Sequence, residues 1–191
     1  VGARVVLASR SPQRRAILQQ LGVEFEVVES DALEVLVGDP AEIAVENARR
    51  KARVVHERLA NPDAIVIGAD TIVVLDGEPL GKPEDASRAR EWLGKLAGRD
   101  HEVHGGLAVY GPGDRERSGH AVTMVRFRAL TAEEMDTYVA TGEWQDRAGG
   151  YAIQARGAAL VEAIAGDYLN VVGLPVSLLA SLAPELLTGN S

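Results

Sequence analysis

A carboxylate stands inside a run of residues that otherwise reads as a buried strand. Residues 64–75, AIVIGADTIVVL, are apolar and rich in β-branched side chains. Asp70 interrupts them. A buried, unpaired aspartate is costly, so this position calls for a cation, a metal or a hydrogen-bond network. Gly68 and Ala69 remove side-chain bulk just before it, which would let a ligand approach the backbone. A satisfied core aspartate, or a turn between two short strands, reads the same residues equally well.

Four further groups can do chemistry. The segment SRSPQRR at 9–15 combines two hydroxyls, a helix start and several guanidinium groups, which together make an anion site with phosphate as the natural ligand. An ordinary capped helix with exposed arginines is the plainer reading. Lys51 follows Asn47 by one helical turn, and Lys82 sits between Gly81 and Pro83. A lysine on a short loop can serve as a fixed counter-charge for phosphate, although most lysines are simply solvated. Glu34, Asp70, Asp85 and Glu46 form an acidic set, and oxygen donors of this kind suit Mg²⁺ when substrate phosphates complete the shell. Gln154, in the glycine-rich segment at 149–157, offers a donor and an acceptor for a base edge, and Tyr151 offers a ring to pack against. His56, His101, His104 and His120 lack a helical metal-binding spacing, and the pair His101 and His104 is too weak to mark a zinc site. The chain carries no Walker P-loop, no dinucleotide glycine motif and no serine-hydrolase elbow.

These residues need elements to position them. The pattern predicts a strand at 5–8 and a helix from Pro12 to about 21, with Ser11 as its cap and Gly22 as its stop. A second strand is expected at 25–29, then a loop or short helix at 31–39. Pro40 opens a long helix with the stripe Ala44, Ala48, Ala52, Val55 and Leu59. The Asp70 strand turns at Asp76-Gly77. A helix follows at 85–97, with Ala86, Ala89, Leu93 and Leu96 on one face and Gly98 at its end. Residues 101–110 and 116–128 read as an antiparallel pair around the turn at 111–114. Thr131 and Glu134 have capping-box spacing for a helix reaching 141. An irregular loop at 144–150 leads to expected strands at 151–153 and 158–164, a turn at Gly166-Asp167, and a last helix after Pro175.

Composition sets the frame. The chain has 191 residues, 46% of them hydrophobic and 25% charged, which fits one domain with a sizeable core. A net charge of −8 argues against a broad nucleic-acid surface while leaving room for a local basic pocket. The absence of cysteine excludes a disulfide framework and a thiolate metal site. No apolar run reaches the ~18 residues of a membrane span, and 1–8 lacks a signal-peptide pattern, so the expected setting is cytoplasmic.

Taken together, the blocks LASRSPQRRAIL (7–18), ENARRKA (46–52), IGADTIVVLDGEPLGKPED (67–85), GRDHEV (98–103), DRAGGYAIQARGA (146–158) and GDYLNVVGLP (166–175) run almost end to end. In this order they resemble the Maf family, related in fold to the inosine-triphosphate pyrophosphatases. The resemblance implies a single Maf-like domain over 1–191, α/β in class, with a long, twisted, mixed β-sheet flanked by helices and two lobes around a central cleft. It implies cleavage of a nucleoside triphosphate between the α- and β-phosphates, with a divalent metal, Mg²⁺ or Mn²⁺. The family's catalytic aspartate, assigned as proton acceptor, matches Asp70, and its phosphate-binding and active-site positions match Ser9, Arg14, Glu34, Lys51 and Lys82. Asp70 and Glu34 are the metal-ligand candidates.

One branch of the family, active on dTTP and UTP, carries Arg after the Ser-Pro pair, Thr after the aspartate and Gln in the Tyr-x-Ile-Gln block. Thr71 and Gln154 match it. Gln13 matches neither that branch nor the one active on methylated GTP, which has Trp there. Ala155 replaces a frequent Gly. The family often forms homodimers; no membrane or stable nucleic-acid partner is expected. A non-catalytic nucleotide-binding regulator of cell division and a phosphatase releasing orthophosphate are the competing functions; binding without metal-dependent turnover would mark the first, and product identity separates the second.

Overall fold

Two parallel pairings set the frame of the sheet. In the computed structural model, which describes residues 4–188 apart from 60 and 114, β1 (Val5–Leu7) runs parallel to both β2 (Glu26–Val27) and β3 (Ile65–Leu75). All other pairings are antiparallel. The strand order is β2-β1-β3-β5-β6-β7, with β4 (Glu78–Leu80) paired to β3, making seven strands. Here β5 is Asp100–Gly111, β6 Arg115–Phe127 and β7 Val161–Ala165. The turn joining β5 to β6 includes residue 114, which lies outside the described residues. Asp76 and Gly77 both have positive φ, 52° and 81°, as a tight turn between β3 and β4 requires.

The sheet's two faces follow from alternation along β3. The even positions Val66, Gly68 and Asp70 face α2 (Pro40–Leu59). Its buried stripe of Ala44, Ala48, Ala52 and Val55 is the one read from the sequence, with Leu59 only partly buried at its end. Gly68, and Gly106, which stands opposite Asp70 on β5, lie directly beneath this stripe. A Cβ on Gly68 would stand 2.3 Å from the Ala48 carbonyl oxygen, and one on Gly106 would stand 1.9 Å from that of Ala44. The backbone approach expected at Gly68 is therefore made by a helix and not by a ligand.

The odd face is covered by five helices: α1 (Pro12–Gln20), α3 (Ala86–Leu96), α4 (Ala132–Ala140), α5 (Tyr168–Val172) and α6 (Val176–Leu182). One apolar cluster joins Leu7, Ile67, Ala69, Leu107 and Val109 to α1, α5 and α6. A second joins Val73, Val103, Val125 and Phe127 to α3 and α4. Burial of such side chains contributes roughly 1.5–3 kcal/mol each.

Caps agree with the sequence signals. Ser11 accepts from the Arg14 amide at 3.4 Å, and Thr131 with Glu134 completes a capping box. Several expectations are corrected. The second strand is only two residues long. Residues 151–153 form no strand, and residues 156–160 are 3₁₀-helical before β7. The unpredicted α5 is capped by the Asp167 carboxylate, which accepts from Leu169 and Asn170 amides. Ala86 is exposed, outside the buried face of α3. Among the described residues no helix is long and apolar enough to cross a membrane.

Candidate active site

On the edge of β3 that faces β1, pairing to β1 ends at Leu7–Ile67 and pairing to β4 begins at Leu80–Val73. Residues 68–72 have no strand beside them there among the described residues. A cavity of about 510 Å³ opens at this gap. It lies just past the carboxyl end of parallel β1, the place where open α/β sheets admit ligands. Because the edge is open, side chains from both faces of β3 reach the same space, and Asp70, Thr71, Ile72 and Val73 all line it.

From the even face come Asp70 and two α2 residues one turn apart. Lys51 Nζ lies 2.7 Å from Asp70 Oδ1 and 2.6 Å from Glu34 Oε1. Asn47 Nδ2 donates to Asp70 Oδ2 at 3.1 Å. The Asp70 and Lys51 side chains are only 13% and 14% exposed, so their charges meet with little water between them. Asn47 also grips the loop carrying Glu34: its Oδ1 accepts from the Val35 amide at 2.7 Å and its Nδ2 donates to the Val35 carbonyl at 3.1 Å. The close α2 contact at Gly68 thus sets one end of this network, and the buried Asn47 ties the other end down.

From the odd face comes Arg14. Its Nε donates to the Gly173 carbonyl at 2.8 Å, Nη1 to Ser9 Oγ at 3.2 Å and Nη2 to Thr71 Oγ1 at 3.2 Å. Burial pulls its pKa down, opposed by the nearby Asp70 and Glu34 charges, and a guanidinium stays protonated at neutral pH regardless. Ser9 Oγ accepts a second bond, from the Ser11 amide at 3.2 Å, and Gln13 Oε1 accepts from Ser11 Oγ at 3.0 Å.

The remaining wall is built from distant sequence. Lys82, 65% exposed, stands 3.9 Å from Asp146. Arg147, Tyr151 and Gln154 follow on the same side. The Tyr151 hydroxyl is turned away to His101 Nε2, at 2.8 Å, leaving the ring as its contribution to the cavity. His101 is 2% exposed, and burial pushes its pKa down to about 4. Burial pushes the Tyr151 hydroxyl pKa up.

Ser9, Gln13, Arg14, Glu34, Lys51, Asp70, Thr71, Lys82 and Gln154 therefore surround one cavity or its immediate basic extension. Two acidic candidates do not join them. Glu46 pairs with Arg50 and Arg49 on the surface of α2, and Asp85 caps α3 by accepting from the Arg88 amide at 2.8 Å. The histidines form no zinc site: residues three apart on a strand point to opposite faces, so His101 and His104 diverge. His104 instead contacts His120 and Glu102. Among the described residues no group of three or more histidine and acidic side chains could hold a metal. The Asp70 and Glu34 oxygens, drawn to the same Nζ atom, are the hard-donor pair that a divalent cation plus phosphate oxygens would complete. Sequence reasoning noted Asn47 and His101 without giving them a place in the site, and it passed over Gly173 and Arg147. A buried amide on a helix's alanine face was the one available signal, at Asn47.

The family model described as Maf-like protein matches residues 4–186. The chain belongs to the Maf-like family. This Maf-like chain is 47% identical to a protein of Symbiobacterium thermophilum named dTTP/UTP pyrophosphatase, over 98% of each chain. It is 46% identical to a protein of the same name from Deinococcus radiodurans, over 94% of this chain and 91% of that one. In structure it is similar to a HAM1 protein from Coxiella burnetii, with a TM-score of 0.53 and 16% identity, covering 96% of this chain and all of the other. That likeness bears on the fold alone, and it agrees with the mixed sheet flanked by helices.

Proposed function

We propose that this chain hydrolyses nucleoside triphosphates between the α- and β-phosphates, with dTTP and UTP as substrates, releasing a nucleoside monophosphate and pyrophosphate. The observation that carries the reading is Lys51 held between Asp70 and Glu34 in a cavity that Arg14 and Lys82 also line. Relatives named for dTTP and UTP, similar over nearly the whole chain, support the substrate class.

The roles follow from chemistry. A water oxygen bonds to the α-phosphorus as the bond to the bridging oxygen breaks, and the electron pair leaves with pyrophosphate. Asp70, fixed by Lys51 and Asn47, accepts the proton of the attacking water. Arg14, Lys51 and Lys82 face the charge growing on phosphoryl oxygens, and Ser9 orients Arg14. Asp70 and Glu34 are the residues that would hold a divalent cation, Mg²⁺ or Mn²⁺, and such an ion would further stabilise that charge. Gln154 reads the base edge, Tyr151 offers its ring, and Gln13 and Thr71 border the same space. The cysteine-free composition suits a cytoplasmic enzyme.

Product analysis tests the reading. The chain is incubated with dTTP, UTP, CTP and 7-methyl-GTP, with and without Mg²⁺ or Mn²⁺. Metal-dependent monophosphate plus pyrophosphate, greatest for dTTP and UTP, is the expected result. Orthophosphate as the first product would replace it with a phosphatase. Binding without turnover would leave a nucleotide-binding regulator.

A further inference from the structure

A second basin, of about 480 Å³, adjoins the cavity beside the turn from β1 into α1. Its lining carries five cationic side chains, Arg10, Arg14, Lys51, Lys82 and Arg147, against two carboxylates, Glu34 and Asp146. This excess stands on a chain of net charge −8. Asp70 lines the first cavity but not the second, whereas Arg147 lines both.

The cations are not equally committed. Arg14 makes three hydrogen bonds, and Lys51 is shared by two carboxylates. Arg147 Nε is buried and has no hydrogen-bond partner among the described residues. A buried guanidinium N–H left unmade is costly and calls for an acceptor. Backbone bonds fix the turn that carries Arg147. The Arg147 amide donates to the Trp144 carbonyl at 3.2 Å, and the Arg147 carbonyl accepts from the Gly150 amide at 3.1 Å. The Gly149 amide donates to the Gly81 carbonyl at 3.1 Å, locking this turn to the loop that bears Lys82. Asp146, just before it, is held at φ +58°, a left-handed conformation unfavourable for a non-glycine residue.

We infer that Arg147 binds the phosphates beyond the scissile bond and the pyrophosphate they become. This rests on the pyrophosphatase reading above. With the α-phosphate beside Asp70, the rest of the polyphosphate extends into the basin that Asp70 does not line. There a planar guanidinium can take two phosphate oxygens at once.

The test compares wild type with Arg147→Gln and Arg147→Lys in two product-inhibition series, one with pyrophosphate and one with dTMP. In Arg147→Gln the inhibition constant for pyrophosphate and the KM for dTTP are expected to rise about tenfold, while that for dTMP moves by less than about twofold. Arg147→Lys recovers part of the loss, because it keeps the charge without the fork. Unchanged pyrophosphate inhibition would overturn the inference. Equal weakening toward pyrophosphate and dTMP would also overturn it, since that is the mark of a merely structural residue. If wild type turned over no nucleotide, the pyrophosphatase reading would fall. Calorimetric binding of pyrophosphate to wild type and Arg147→Gln would then decide the role of Arg147 separately, with equal affinities counting against it.

Discussion

On one face of the sheet a single helix, α2, lies across Gly68 and Gly106. On the other, five helices bury two apolar clusters. The cavity takes different chemistry from each. The α2 side brings charge against charge, two carboxylates on one ammonium, with Asn47 as the only neutral member of the set. The thickly covered side brings Arg14, whose guanidinium spends its bonds on a hydroxyl of Ser9, a hydroxyl of Thr71 and the Gly173 carbonyl. The first arrangement can accept a proton or a cation. The second keeps its positive charge for an anion. A site that must handle both water and phosphate gains from keeping these functions on opposite faces of one strand.

The sharpest test of that division is Asp70→Asn. It should lower kcat about 10³-fold while the nucleotide dissociation constant stays within a few-fold, because the amide keeps the shape and loses the base. Retained turnover would remove Asp70 from the proton-transfer role and erase the difference between the faces.

Next in size is a pH effect confined to the thickly covered side. Folded His101 stays neutral down to about pH 4, whereas the unfolded chain protonates it near 6.5. The unfolded state therefore binds more protons between these values. Stability is complete above pH 6.5 and falls as pH drops toward 4, by about 3 kcal/mol from this group. Urea titrations of wild type and His101→Gln across that window should show the slope reduced in the variant.

Gly68→Ala probes the thinner face. The new methyl would meet the Ala48 carbonyl, so a loss of about 2 kcal/mol in urea unfolding is expected, accompanied by reduced turnover. Arg14→Lys is the mildest change. It keeps the charge but cannot span the three acceptors, and KM for dTTP should rise about tenfold with a smaller change in kcat.

Much of this was legible in the chain. The apolar context of Asp70, the alanine stripe of α2 and the spacing of Asn47 and Lys51 are local patterns, and the helix and strand they specify hold in the structure. The caps at Ser11 and Thr131 are equally local. What sequence spacing misassigned depended on tertiary neighbours. Gly68 looked open to a ligand because the helix that fills the space lies about twenty residues earlier. Glu46 and Asp85 were as acidic as Glu34, and only their partners, Arg50 and the Arg88 amide, take them out of the site. The segment after Gly150 alternates like a strand, yet its polar groups are satisfied otherwise: Tyr138 Oη accepts from the Ala152 amide at 3.0 Å. The closeness of Arg147 to Lys82 depends on a backbone bond between residues 68 positions apart, Gly81 and Gly149, which no local pattern reveals.

The glycine seam beneath α2 also sets how much slack the site has. Lys51 has four side-chain torsions and can follow a small lift of the helix. Asn47 has two, and it must hold Asp70 and both polar groups of Val35 at once. Any displacement of α2 is therefore felt first at Asn47. The bare backbone at Gly68 and Gly106 is therefore the spacer that sets the height of Asn47, and with it the Glu34 loop, relative to Asp70.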